Sequence, residues 1–110
     1  MTYKNKFEKL EDLWKTIEDR AVNASPEDSY VSSLISKGVK ECAKKLGEEG
    51  LETSLAAITL NKEDTTKESV DLLFHLLVLW KVVGLKPEEI MEELKKRESV
   101  SGLIEKKNRK

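Results

Sequence analysis

The stretch from Glu68 to Val83, ESVDLLFHLLVLWKVV, is apolar around nearly its whole circumference when wound at the helical period. A helix of that kind is buried on most sides. A chain of 110 residues has a thin core in which to bury it, because a domain of this size removes roughly two thirds of its unfolded surface from water. The pattern predicts a helix over 67–83 around which the rest of the chain is organised, with a second copy of the chain completing its burial.

The remaining segments read as helices that could pack on it. Phe7, Leu10, Leu13, Trp14 and Ile17 recur at helical spacing and predict an amphipathic helix over 6–21. Ser25 and Pro26 mark a loop over 23–28, after which Ser29 can cap a short helix bearing Tyr30, Val31, Leu34 and Ile35, with Gly38 at its end. A longer helix is expected from Val39 to Leu60. The polar run from Asn61 to Thr66 is expected to turn, with Asp64, Thr65 or Thr66 as N-cap of the next helix. Gly84 closes the central helix, and Pro87 opens a last short one with Ile90, Met91 and Leu94 on its apolar side. No segment alternates with a strand's period of two. The expected architecture is all-α, a four- to five-helix bundle in one domain spanning 1–110, with a polar tail from about Glu98 that is basic at its end.

Composition narrows what such a bundle does. Twenty basic residues against twenty-one acidic ones leave a net charge of -1, with no general basic field to attract nucleic acid. Cys42 is the single cysteine and has no internal disulfide partner. Together with the single His75 it cannot supply a four-ligand structural zinc site. A reducing, cytoplasmic setting is expected. The first twenty residues mix charge and apolar groups and do not read as a signal peptide, and no apolar run is long enough to span a bilayer. A soluble protein, free of membrane and nucleic acid, is the expectation.

The chemistry is concentrated in acidic residues. Glu48 and Glu52 lie about 40° apart on a helical projection with Glu49 on the flank of the same strip, and Glu68, Asp71 and His75 fall within about 60° of one another on the central helix. The short connection makes the two helices antiparallel neighbours, so the clusters come within reach of each other. A plain alternative exists for the first cluster: Glu41 with Lys45, Lys44 with Glu48 and Lys45 with Glu49 are each four apart and could form a solvated, paired face. The second cluster is less easily accounted for, because Asp71 precedes Leu72, Leu73 and Phe74 on a helix whose composition demands burial. Several carboxylates with no thiolate nearby select hard cations, Mg²⁺ or Mn²⁺. Magnesium commonly joins protein carboxylates to phosphates, which points to phosphoanhydride hydrolysis. A di-iron bundle would instead want Glu-x-x-His pairs, whereas this chain has Glu68-x-x-Asp71. His75 could hold Asp71 or a phosphate, or be a hydrogen-bonded core histidine; Cys42 reads as a small core residue.

The order Glu48-Glu49-x-x-Glu52, fifteen residues, then Glu68-x-x-Asp71 resembles the signature of the all-α nucleoside triphosphate pyrophosphohydrolases, the MazG-like superfamily. Four segments narrow the resemblance to the phosphoribosyl-ATP pyrophosphatase family: Ser29-Tyr30, Lys45 to Glu49, Asp71 to Leu79, and Val100 to Gly102 with Glu105-Lys106 and Arg109-Lys110. They occur in family order over nearly the whole chain. Phe74 stands where tyrosine is common in that family, Gly50 where alanine is usual, and Ser69-Val70 where two alanines are. None of these departures removes a carboxylate. The absence of a zinc-binding cyclohydrolase segment resembles the stand-alone form of the family.

The resemblance implies a homodimeric hydrolase of histidine biosynthesis that splits phosphoribosyl-ATP into phosphoribosyl-AMP and pyrophosphate. It implies that Glu48, Glu49, Glu52, Glu68 and Asp71 hold Mg²⁺, with Mn²⁺ as a substitute, and carry the catalysis. Lys45, Arg20, His75, Arg97, Lys106 and Arg109 would then contact the substrate's phosphates. Two other readings share these residues: a housecleaning pyrophosphatase for ordinary or damaged nucleoside triphosphates, and a catalytically silent helical interaction module.

Overall fold

The computed structural model describes residues 7–98, and these form five α-helices: α1 (Glu8–Asn23), α2 (Tyr30–Ser36), α3 (Val39–Ile58), α4 (Lys62–Val83) and α5 (Pro87–Arg97). Among the described residues there is no strand. No helix among these residues is long and apolar enough to cross a membrane.

The helix ends follow from local chemistry. The Ser29 hydroxyl accepts a hydrogen bond from Ser32 N at 3.3 Å, capping α2, while the Ser32 hydroxyl donates to Ala24 O at 3.0 Å and ties the preceding loop down. Gly38 takes φ +92°, a region that disfavours any side chain, and so allows α3 to start with only two residues between it and α2. Gly84 ends α4 in the left-handed conformation, with Leu85 N donating to Trp80 O at 2.8 Å. Pro87 occupies the first position of α5, and the Glu89 carboxylate accepts from Lys86 N at 2.9 Å.

The connection between α3 and α4 is shorter than the sequence suggests. The run Asn61 to Thr66, expected as a turn with its cap at Asp64, Thr65 or Thr66, is helical from Lys62, and the cap is Asn61, whose side-chain oxygen accepts from Asp64 N at 2.9 Å. Asparagine caps as well as aspartate and better than threonine, Glu63 and Asp64 suit the positive end of the helix dipole, and both threonine hydroxyls are satisfied inside the helix. Thr65 donates to Asn61 O at 2.7 Å and Thr66 to Lys62 O at 2.8 Å. The chain reverses through Leu60, a non-glycine residue at φ +61° that is 87% exposed.

One core forms where α1, α2 and α4 meet, with Trp14 and Ile17, Val31 and Leu34, and Leu77 and Val78 buried together and Cys42 joining from α3. Trp14 and Trp80 contact each other at a 54° tilt with ring centroids 6.5 Å apart. The Cys42 thiol donates to Leu34 O at 3.3 Å and sits, as expected, among core residues. Burial raises the pKa of that thiol, with the charge of Glu41 adding to the effect, so it stays protonated.

This core uses only part of the apolar surface. On α4, Val70 is 59% exposed and Leu73 39%, and on α3 Leu51, Leu55 and Ile58 are exposed as well. Helix α5 buries no residue fully. It forms, with α1 and α4, a groove of about 1060 Å³ whose apolar walls include Leu10, Trp14, Leu76, Trp80, Met91 and Leu94.

Candidate metal centre

Helices α3 and α4 lie against each other in antiparallel register. Glu49 of α3 faces His75 of α4, Gly50 lies level with Leu72, and Thr53 reaches Glu68, so residue numbers rise along α4 as they fall along α3. The short link through Leu60 imposes this pairing, and the pairing brings the two acidic clusters to one place. Glu49, Glu68 and Asp71 each offer an oxygen, and the three oxygens lie within 4.8 Å of one another. Glu52, one turn beyond Glu49, sits between them. Its carboxyl is near enough to both the Glu49 and the Glu68 carboxyls to raise their pKa values.

Two atoms define what the cluster lacks. Glu49 Oε2 and Glu68 Oε2 are buried and have no hydrogen-bond partner, and the Glu49 side chain is only 16% exposed. A buried carboxylate oxygen without a donor is costly unless something of opposite charge meets it. Burial is the main cause of a raised pKa at Glu49, reinforced by Glu52, Asp71 and Glu68. Burial likewise raises Glu68, followed by its hydrogen bond to Glu52 and the charges of Glu52, Asp71 and Asp64. In isolation Glu49 and Glu68 hold their protons to higher pH than ordinary carboxylates do. A hard divalent cation fits the same set, because it satisfies orphaned oxygens directly and favours carboxylate over nitrogen or sulfur ligands.

The other residues named from the sequence are arranged around this centre in different ways. Glu48 is exposed and directed to Lys45, whose Nζ lies 3.7 Å from Glu48 Oε1. His75 is 5% exposed and its Nε2 is 3.9 Å from Glu49 Oε1, so it meets Glu49 across the helix pair. Its ring packs edge-on against Phe74 at 5.1 Å and Tyr30 at 6.0 Å, and Tyr30 stacks on Phe74 at 5.9 Å. Burial, then the charge of Lys45, lowers the His75 pKa against the opposing pull of Asp71 and Glu48. The imidazole is therefore neutral at neutral pH. Arg20 is exposed in the last turn of α1, and Arg97 at the end of α5 bonds Glu93 at 3.0 Å. Lys106 and Arg109 lie outside the described residues.

Thr53 belongs to the centre without belonging to a motif. Its hydroxyl lies 2.8 Å from Glu49 O and 3.1 Å from Glu68 O. The only sequence signal for it is its place four residues after Glu49, on the same helix face.

Fold and site together define an all-α protein built on an acidic helix pair suited to a hard divalent cation. Within that class the assignment is specific: the family model for phosphoribosyl-ATP pyrophosphohydrolase matches residues 10–98, and the chain belongs to that family. It is 48% identical over 101 residues to a phosphoribosyl-ATP pyrophosphatase 1 of Bradyrhizobium diazoefficiens, covering 92% of this chain and 94% of that protein. A phosphoribosyl-ATP pyrophosphatase of Sinorhizobium medicae is 45% identical over 100 residues, with 91% of this chain and 92% of the relative covered. A third, from Granulibacter bethesdensis, is 42% identical over 105 residues, which is 96% of this chain but 65% of the relative's length.

Proposed function

We propose that this chain hydrolyses phosphoribosyl-ATP to phosphoribosyl-AMP and pyrophosphate, the second step of histidine biosynthesis, and that it does so with Mg²⁺ or, as a substitute, Mn²⁺. The observation that carries the metal requirement is the pair of buried, unpartnered oxygens on Glu49 and Glu68. Glu49, Glu68 and Asp71 would hold the cation, with Glu52 and Glu48 completing the acidic set toward solvent. When bound, the cation offsets negative charge on the phosphates and lowers the pKa of water.

The remaining roles fall to the chain itself. Water adds to the α-phosphorus as the α–β phosphoanhydride bond breaks, the pyrophosphate departs with the bond's electron pair, and a carboxylate of the set takes the water's proton. Lys45 is close enough to influence His75 and is paired with an exposed glutamate, which supports an ammonium free to swing onto a phosphate. His75, held neutral beside Glu49, can donate a hydrogen bond there without adding charge. Arg20, Arg97, Lys106 and Arg109 are proposed as further phosphate contacts on family resemblance.

A homodimer is part of the proposal. Leu51, Leu55 and Ile58 follow helical spacing on α3, and Val70 with Leu73 extends exposed apolar surface onto α4. Such a stripe on a domain this small suits a second copy. A single-chain mass in light scattering at micromolar concentration would contradict it. A cytoplasmic location is supported by Cys42, whose thiol has no partner for a disulfide.

The deciding experiment is pyrophosphate release by the purified chain with Mg²⁺, offered phosphoribosyl-ATP beside a panel of nucleoside triphosphates. Turnover of phosphoribosyl-ATP alone, lost with a chelator, is the expected result. Comparable turnover of ordinary triphosphates would overturn the assigned substrate.

A further inference from the structure

The hydroxyl of Thr53 stands between two carbonyl oxygens, Glu49 O at 2.8 Å and Glu68 O at 3.1 Å. A hydroxyl has one proton to donate, so the two acceptors share it. The contact to Glu49 O is the ordinary back-bond of a helical threonine, one turn along α3. The contact to Glu68 O crosses to α4. Both carbonyls belong to residues whose carboxylates each carry a buried oxygen without a partner. The side chain thus joins the two helices at the level where the acidic centre needs its spacing held.

We propose that Thr53 is a positioning residue for this centre: its shared hydroxyl sets the separation and rotation of the backbone segments from which Glu49 and Glu68 project, and thereby the affinity of the carboxylate set for a divalent cation. The proposal rests on reading the cluster as a metal centre and adds a residue that touches neither metal nor substrate. Its energetic basis is preorganisation. Without the cross-link the two carboxylates repel and can spread apart, and the cation must then restore their geometry on binding. Groups that orient metal ligands from behind change affinity by about 10- to 100-fold when removed.

Thr53→Val is a clean test because it keeps the branched shape and a similar helix propensity. It also orphans neither carbonyl, since each still accepts its own helical N–H four residues on. Mn²⁺ alone, without substrate, is titrated into the full chain and followed by electron paramagnetic resonance for wild type, Thr53→Val and Thr53→Ser, with the melting temperature of each. The valine variant is expected to bind Mn²⁺ at least about tenfold more weakly, with its melting temperature near that of wild type, and the serine variant is expected to recover most of the affinity. Unchanged Mn²⁺ affinity in Thr53→Val overturns the proposal. So does an equal loss in both variants accompanied by a fall in melting temperature, which would mark Thr53 as a packing residue. Failure of the wild-type chain to bind Mn²⁺ would remove the metal centre itself and this proposal with it.

Discussion

The two halves of α4 are built for opposite ends. From Leu77 onward the helix turns apolar side chains into a core shared with Trp14, Ile17, Val31 and Leu34, and Val78 is completely enclosed. From Glu68 to His75 the same helix presents Glu68, Asp71 and His75 to a second acidic helix, with two carboxylate oxygens buried and unpartnered and with Val70 and Leu73 open to solvent. One half is closed by the chain's own residues, whereas the other leaves apolar surface exposed and carboxylate oxygens unpartnered. A helix can be apolar nearly all round and still not be enclosed. Its burial is divided between a core that supplies stability and a half that keeps exposed apolar surface and buried, unpartnered carboxylate oxygens, for which a second copy and a cation are proposed.

The sharpest way to break this division is Glu49→Gln. It removes the charge from the most central carboxylate, between His75 and the Glu52–Glu68 pair, and keeps the shape. Activity is expected to fall on the order of 10³-fold, the equivalent of about 4 kcal/mol of barrier, while the melting temperature without metal stays level or rises because a strained like charge has gone. Pyrophosphate release and a thermal melt on the same preparation check both. A variant that unfolds, or one that remains active, would contradict the separation of roles. The converse change is Ile17→Ala in the finished half. Ile17 is fully buried, so the truncation is expected to cost about 3 kcal/mol in denaturant unfolding, with Mn²⁺ affinity of the folded fraction unchanged.

The same division explains what the sequence could and could not disclose. Helical periodicity located all five helices, because burial of one stripe is written residue by residue in the apolar spacing of Trp14 and Ile17 or of Val31 and Leu34. The acidic spacing put Glu48, Glu49 and Glu52 on one strip and Glu68, Asp71 and His75 on another, and of these the structure brings oxygens of Glu49, Glu68 and Asp71 within 4.8 Å of one another. Helical spacing offered Lys44 for Glu48 and Lys45 for Glu49, whereas Lys45 pairs with Glu48 one turn away on the same helix; that His75 meets Glu49 it could not say, since this depends on the rotation of one helix about the other. Nor could it find the start of α4. Asn61 and the threonines after it are all good caps, and the choice falls to Asn61 because the reversal at Leu60 leaves room for no longer turn. Thr53 was hidden for a similar reason: its significance is a contact across helices, and no local pattern carries that.

A smaller effect separates the halves by pH. Glu49 and Glu68 have raised folded-state pKa values, so the folded chain holds protons that the unfolded chain has released. Stability from these groups is fully present below the ordinary carboxylate range and is lost as pH rises through the raised values. His75 acts the other way: its lowered pKa makes the fold lose stability as pH falls below the ordinary histidine value. The two can be told apart by difference. In chelator, the stability of Glu49→Gln relative to wild type is expected to grow as pH rises from 4 to 7, because only the wild type acquires the buried charge. Saturating Mg²⁺ is expected to reverse the trend by stabilising the wild type most at the higher pH. A pH-independent difference would mean that Glu49 ionises in the fold as it does in water.

The smallest effect concerns Gly50, which stands beside Glu49 within α3 and opposite Leu72. A Cβ there would meet Leu72 Cδ1 at 3.8 Å, an ordinary contact, and the backbone at Gly50 is helical. Gly38 and Gly84 differ, since their φ values of +92° and +82° exclude an easy replacement. Gly50→Ala is therefore expected to stabilise the chain by about 0.5–1 kcal/mol, chiefly by restricting the unfolded state, a rise of a few degrees in melting temperature. If α3 is merely a rigid carrier of Glu49, Glu52 and Thr53, Mn²⁺ affinity will be unchanged or slightly better. A stabilised variant with weaker Mn²⁺ binding would show instead that the glycine lets the helix yield as the carboxylates close on the cation, so that the unfinished half of the fold would depend on pliancy as well as on spacing.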